Sequence, residues 1–383
     1  MKNNFIFLLL LFATYGFSQK KLPVVKANSK SAIIKEEGKS LTKWNLDPKI
    51  KIDAYTTNKL IETAVIKLKT DIDSISIALK PGEQKDFIVL LNGKDTCYTR
   101  FQSPEVKNFN KLKPEVHDTI PMTINTKNTN RIRVVLNKAD TLQLNFDTGA
   151  TEIVLIEQAL KNKVKSNLNL YNTFYDIKVG NQIYKSKVYD IKVAGDEADG
   201  LIGWDHFDGM IVELNYDQNI MVVHSKLPKA VKRDKTTEKF KIKYFNQKPF
   251  IEAEIVEGNT KVKDWFLFDT GYQKTVMLDN ELLSKEKFPV DQMKVLHTEM
   301  MRGTKNNEIP VVTSNLQILK LGKHELKNVP AQILASNKPM PGANIHILGS
   351  DVLKRFNTFL DFQENVVYLQ PNQLYDVKYL QKS

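Results

Sequence analysis

Phe146-Asp147-Thr148-Gly149 recurs unchanged as Phe268-Asp269-Thr270-Gly271. Each copy ends an apolar, strand-like run, Leu142–Phe146 in one case and Val262–Phe268 in the other. Two identical acids in equivalent settings suggest one shared chemistry. Carboxylates brought within a few ångströms of each other cannot both ionise comfortably, so they hold one proton between them. One is then a base and the other an acid, the pairing needed for an activated water to split an amide. The neighbouring residues suit that task. Gly149 and Gly271 lack a Cβ and let two backbones approach closely. Thr148 and Thr270 are β-branched strand formers whose hydroxyls can donate to backbone across a junction. One Asp-Thr-Gly alone would carry little, since Asp and Gly are common turn residues.

The copies share later landmarks as well. Leu201-Ile202-Gly203-Trp204-Asp205 follows the first, and Ile347-Leu348-Gly349-Ser350-Asp351 follows the second. Further on, a polar residue is expected to open a two-strand pattern, Asn215 to Val223 and Asp361 to Leu369, with turns at Gln218-Asn219 and Glu364-Asn365. The chain therefore contains two copies of one structural unit.

With these motifs in place, the sequence resembles the aspartic proteases of the pepsin and retropepsin type, as a bacterial exported form with two retropepsin-size lobes in one chain. The likeness spans residues 120 to 370, most of the chain. It implies a mainly β fold, a two-lobed acid-protease duplication of β-barrels preceded by a small N-terminal β domain. It makes Asp147 and Asp269 the catalytic pair, with Thr148, Gly149, Thr270 and Gly271 supporting them. Gly203 and Gly349 would buttress the acid-bearing loops. No metal and no cofactor is implied, and the partner is a peptide or protein substrate lying extended across the seam. Two departures stand out. Tyr272 occupies the position held by Ala150 in the first copy, where it would narrow a substrate subsite or donate a hydrogen bond near the acids. The interval from Asp269 to Gly322 also exceeds that from Asp147 to Gly180 by twenty residues. The excess is centred on Met300–Thr304, where the family carries a hairpin flap. A single flap from the second lobe, with substrate-binding Gly303 at or near its tip, is one reading; a plain surface loop is the other.

These elements must be positioned by the rest of the chain. Residues 19–110 read as an N-terminal β-rich domain: Ser74–Leu79 alternates with Ile75, Ile77 and Leu79 on one face, Pro81-Gly82 turns, and Asn92-Gly93 joins Phe87–Leu91 to Cys97–Phe101. Gln102 to His117, with Pro104 and Pro114, is a linker. Lobe 1 spans 118–225, with strands Arg131–Leu136 and Leu142–Phe146, a strand-to-helix passage at Val154–Ala159, and a hairpin about Gly180-Asn181. A charged stretch, 226–239, leads to lobe 2 at 240–371, where Leu278–Leu283 is expected as a short helix. Residues 372–383 form a tail.

Composition excludes several classes. The chain has 383 residues, 42% hydrophobic and 26% charged, enough to bury a sizeable core. The net charge of +12 comes from lysines spread along the whole length, with no basic stripe interleaved with aromatics, so no nucleic-acid partner is expected. There is no His-Glu-x-x-His and no Gly-x-Ser-x-Gly. Met1–Ser18 reads as a signal peptide: Lys2 at the positive end, Phe5–Phe12 apolar but too short to span, Gly16-Phe17-Ser18 before the cut. An exported protein, periplasmic or secreted and without a membrane span after signal removal, follows. Cys97 is the only cysteine and is expected as a buried structural thiol. Both acids lie in one chain, so a monomer suffices. The alternative function is a catalytically inactive peptide- or envelope-binding protein on the same fold.

Overall fold

A computed structural model describes residues 21–37, 41–302, 308–334 and 344–379. The signal segment Met1–Ser18 and Gly303 lie outside the described residues. The chain is mainly β, and each Asp-Thr-Gly copy closes a six-stranded barrel. In the first, strand Asn130–Leu136 pairs with both Asp140–Asp147 and Phe174–Val179, which closes the ring. In the second, Lys248–Glu257 pairs with both Thr260–Phe268 and Glu308–Leu321.

Between the barrels runs a further sheet, three strands from each half. Its order is His117–Ile124, Ile220–His224, Ile211–Asn215, Phe356–Asp361, Val366–Pro371, Glu238–Lys241. The halves join where Ile211 faces Asp361 and Val212 faces Leu360. One continuous core, from Ile132 and Phe146 through Leu214 and Leu360 to Phe266 and Phe268, runs through both barrels and this sheet. The two lobes therefore share their packing, and their relative position is set by core burial.

Upstream, eight strands form two four-stranded sheets. Alternate residues of both sheets, among them Ile34, Leu68, Phe87 and Phe101, meet in one separate apolar cluster. Cys97 belongs to that cluster and is buried, as expected. Among the described residues no helix is long and apolar enough to cross a membrane.

Three local expectations need correction. Asn215 and Asp361 do not open their hairpins; each closes the first strand, Ile211–Asn215 or Phe356–Asp361. Their side chains explain this. Asn215 accepts from Gln218 N–H at 3.0 Å, and Asp361 accepts from Gln363 and Glu364 N–H, both at 3.0 Å, so each carboxyl or amide builds the turn after its strand. The helix expected at Leu278–Leu283 begins later, at Asn280–Lys285, because Leu278 and Asp279 still belong to strand Val276–Asp279. Asp279 caps that helix, accepting from Glu281 and Leu282 N–H at 3.0 Å each. The charged stretch between the lobes holds helix Lys229–Arg233 and the start of strand Glu238–Lys241.

Candidate active site

The ends of strands Asp140–Asp147 and Thr260–Phe268 converge at the seam between the barrels. Each is flanked by a buried strand running parallel to it. Asp147 pairs with Gly203 of Gly200–Gly203, and Phe268 pairs with Leu348 of His346–Leu348. Each flanking strand pairs antiparallel on its other side, with Ile153–Ile156 and Val276–Asp279 respectively. The acid-bearing loop is thus threaded through the same arrangement in both lobes.

Gly203 closes one flanking strand and Gly349 directly follows the other. Gly203 N–H donates to Glu152 O at 2.8 Å, and Gly349 N–H to Thr275 O at 2.7 Å. A side chain on Gly349 would strike Tyr272, its Cβ falling 2.5 Å from Tyr272 Cδ1. After Gly349, Ser350 Oγ donates to Thr270 O at 2.6 Å and ties the second loop down.

Thr148 and Thr270 cross-link the two loops. Thr148 N–H donates to Thr270 Oγ1 at 3.0 Å, and Thr270 N–H donates to Thr148 Oγ1 at 3.0 Å. Each hydroxyl then donates onward to the carbonyl before the opposite acid: Thr270 Oγ1 to Phe146 O at 2.6 Å, and Thr148 Oγ1 to Phe268 O. Both side chains are wholly buried, so every bond in this reciprocal set is shielded from water.

The grip brings each acid against the other loop's glycine. A Cβ on Gly149 would lie 2.6 Å from Asp269 Oδ2, and one on Gly271 would collide with the Asp147 carboxylate. Only glycine fits at either place. Gly149 N–H donates to Asp147 Oδ1 at 2.7 Å. Asp269 Oδ1 accepts from Gly271 N–H at 2.9 Å and Tyr272 N–H at 3.0 Å.

This environment separates the acids from ordinary carboxylates. Burial, followed by the charge of Asp269, pushes Asp147 up to about 8. Burial also raises Asp269, against the pull of Lys248 and of the Gly271 N–H. The two carboxyls therefore titrate as a pair, both raised by burial.

Tyr272 contributes its backbone rather than its hydroxyl to the acids. Its ring packs beside the cluster of Phe250, Leu267, Met277 and Val311, and its hydroxyl donates to Gln332 Oε1. Gln332 Nε2 in turn donates to Glu299 Oε1 at 2.7 Å, and Lys274 Nζ approaches the same oxygen at 3.1 Å. Glu299 lies on strand Lys294–Arg302, which forms an antiparallel hairpin with Glu308–Leu321. The described part of the second lobe's extra length therefore lies in two paired strands, linked by side chains to the loop of Asp269. The first lobe has no counterpart between helix Glu157–Asn162 and strand Phe174–Val179.

Sequence inspection alone missed Lys248, whose charge lowers both acids. Pairing of Arg131 with Asn145 and of Phe250 with Leu267, each two residues before its acid, makes Lys248 the counterpart of Thr129. Aligning the two halves by register would have exposed a cation where the first copy has a neutral hydroxyl. Thr129 accepts from Gln273 Nε2 at 2.5 Å, whereas the Lys248 ammonium has no hydrogen-bond or ion-pair partner among the described residues.

The fold is thus a two-lobed β duplication whose halves present one carboxyl each to a common seam. A comparison with protein-family models finds none that matches, and one with curated proteins finds no match. Among solved structures, the chain is similar to the aspartic proteinase from Irpex lacteus. The two are 14% identical over 68% of this chain and 99% of that one, with a TM-score of 0.47.

Proposed function

We propose that this chain is an exported aspartic endopeptidase that acts as a monomer on extended peptide segments. The observation that carries this reading is the reciprocal seating of Asp147 and Asp269 against Gly271 and Gly149. It seats a buried carboxyl against a half-buried one, a pairing suited to sharing one proton. Asp269, ionised, takes a proton from a water molecule, while Asp147, protonated, polarises the scissile carbonyl. A tetrahedral intermediate forms and collapses as the nitrogen leaves with a proton. Such acid–base action contributes typically ~10²–10⁴-fold, and positioning adds to it. The hairpin of Lys294–Arg302 and Glu308–Leu321 serves as the flap.

The test is cleavage of a peptide library by the chain beginning at Gln19, between acid and neutral pH. Cleavage is expected, and a peptide carrying a hydroxyl-bearing mimic of the tetrahedral carbon should block it. The same mimic should slow amide exchange along the hairpin strands. A library left intact, with the mimic still bound, would instead support a silent peptide-binding protein.

A further inference from the structure

We infer that the N-terminal β domain is a permanent part of the catalytic unit, and that its Thr57–Lys59 segment positions the active site through Gln247 and Lys248. The activity side of this inference rests on the peptidase reading; the docking side does not. The segment leaves strand Asp53–Thr56 and enters the seam between the lobes. It is held from behind by Glu36, a buried carboxylate that accepts from Asn58 N–H at 2.7 Å and Tyr55 hydroxyl at 2.9 Å. Ahead of it lie both lobes. Lys59 Nζ donates to Asp208 Oδ1 of lobe 1 at 2.5 Å and to Phe362 O of the inter-lobe sheet at 3.0 Å. The ammonium also lies 5.6 Å from the Trp204 ring and 5.2 Å from the Tyr244 ring, one from each lobe. Lys59 and Asp208 are 8% and 12% exposed, so the pair is largely out of water, and removing one partner leaves the other charge stranded.

Gln247 is the contact that adjoins Lys248, whose charge acts on the acids. It sits in the tight turn between strands Lys243–Phe245 and Lys248–Glu257, at φ +60°, a left-handed conformation that side chains other than glycine adopt at a cost. Such a residue persists when its surroundings over-determine it. Here three bonds to the N-terminal domain do so: Gln247 N–H to Asn58 Oδ1 at 3.0 Å, Gln247 Nε2 to Thr57 O at 2.7 Å, and Lys59 N–H to Gln247 Oε1 at 3.2 Å. A fourth comes from lobe 1, where Trp204 Nε1 donates to Gln247 O at 2.9 Å. Trp204 directly follows Gly203, the partner of Asp147. Lys248 is the next residue of the turn's outgoing strand, so the bonds that fix Gln247 fix the start of the strand carrying the unpaired cation. An N-terminal segment destined for removal would not supply three of the four hydrogen bonds that Gln247 makes among the described residues.

The experiment uses the full chain from Gln19 with a site-specific protease sequence inserted between Asn110 and Lys111, and with Lys59→Met as the companion variant. After the linker is cut, the fragments of the unsubstituted chain should co-elute on gel filtration with activity retained. The Lys59→Met chain should lose its fragment, or keep it with at least a tenfold lower kcat and an acid limb of the pH–rate profile displaced upward. A displaced pH limb separates positioning from mere destabilisation, which would lower melting temperature and leave the limb in place. Where Lys59→Met does not fold, Gln247→Gly is substituted. It relieves the left-handed conformation and removes the two side-chain bonds to Thr57 O and Lys59 N–H, leaving, of the three, only the backbone bond to Asn58, and the same displaced limb is expected. Release of the fragment with activity unchanged or increased would overturn the inference, as would an unmoved pH limb in the variants. If no form cleaves peptide, the peptidase reading fails, while co-elution against release still decides the docking.

Discussion

Asp147→Asn is expected to lower peptide hydrolysis by about 10²–10⁴-fold while making the protein more heat-stable above neutral pH. The second half follows from the same burial as the first. Asp147 is raised from 3.8 to about 8 in the folded chain, so its protonated form is the one the fold favours. Its contribution to stability is fully present below its unfolded value and is lost as pH rises through the folded one. Asparagine keeps the shape without a charge to bury. Melting curves of wild type and variant should coincide near pH 4 and separate steadily towards pH 8, the variant melting higher. Parallel curves across that range would contradict the buried, shared proton. A variant with full activity would remove Asp147 from the mechanism.

Gly271→Ala should be nearly as damaging without touching either acid. The new methyl group has no room, because the Asp147 carboxylate occupies the position a Cβ would take. The acids must separate, and a misplacement of about 1 Å can cost roughly 100-fold in rate. A loss of that size in kcat is expected, with the two barrels still folded by near-ultraviolet circular dichroism. Gly149→Ala, facing Asp269 at 2.6 Å, should behave in the same direction. Activity within a factor of two of wild type in Gly271→Ala would show that the carboxyls are not held in contact with the opposite loops.

The legible parts of this chain were those fixed by local chemistry. The repeated Asp-Thr-Gly, the two later glycines, and the turns at Asn92-Gly93 and Gly180-Asn181 all declare themselves through residues with narrow conformational or chemical roles. The added hairpin of the second lobe was legible as a length difference between copies. What escaped notice depends on partners remote in sequence. The inter-lobe sheet gathers strands that begin at residues 117, 220, 211, 356, 366 and 238, and no single segment announces that order. The helix boundary after Leu278 was displaced by the Asp279 cap, a side-chain choice that apolar spacing does not reveal. Lys248 and Gln247 read as ordinary polar residues of a turn, and only the approach of Trp204 and Asn58 gives them a place near the acids. Tyr272 shows the converse: the sequence marked it as unusual, yet its hydroxyl is spent on Gln332 and only its N–H serves Asp269.

The most direct test of the paired carboxyls is titration of ¹³C-labelled aspartate side chains by nuclear magnetic resonance, with Asp147→Asn and Asp269→Asn used for assignment. The two carboxyls should titrate as a coupled pair in two separated steps, the upper one well above the ordinary carboxylate range, and either substitution should collapse the remaining acid to a single step. Two independent titrations near 3.8, indifferent to the loss of the other acid, would show that no proton is shared and would contradict the mechanism.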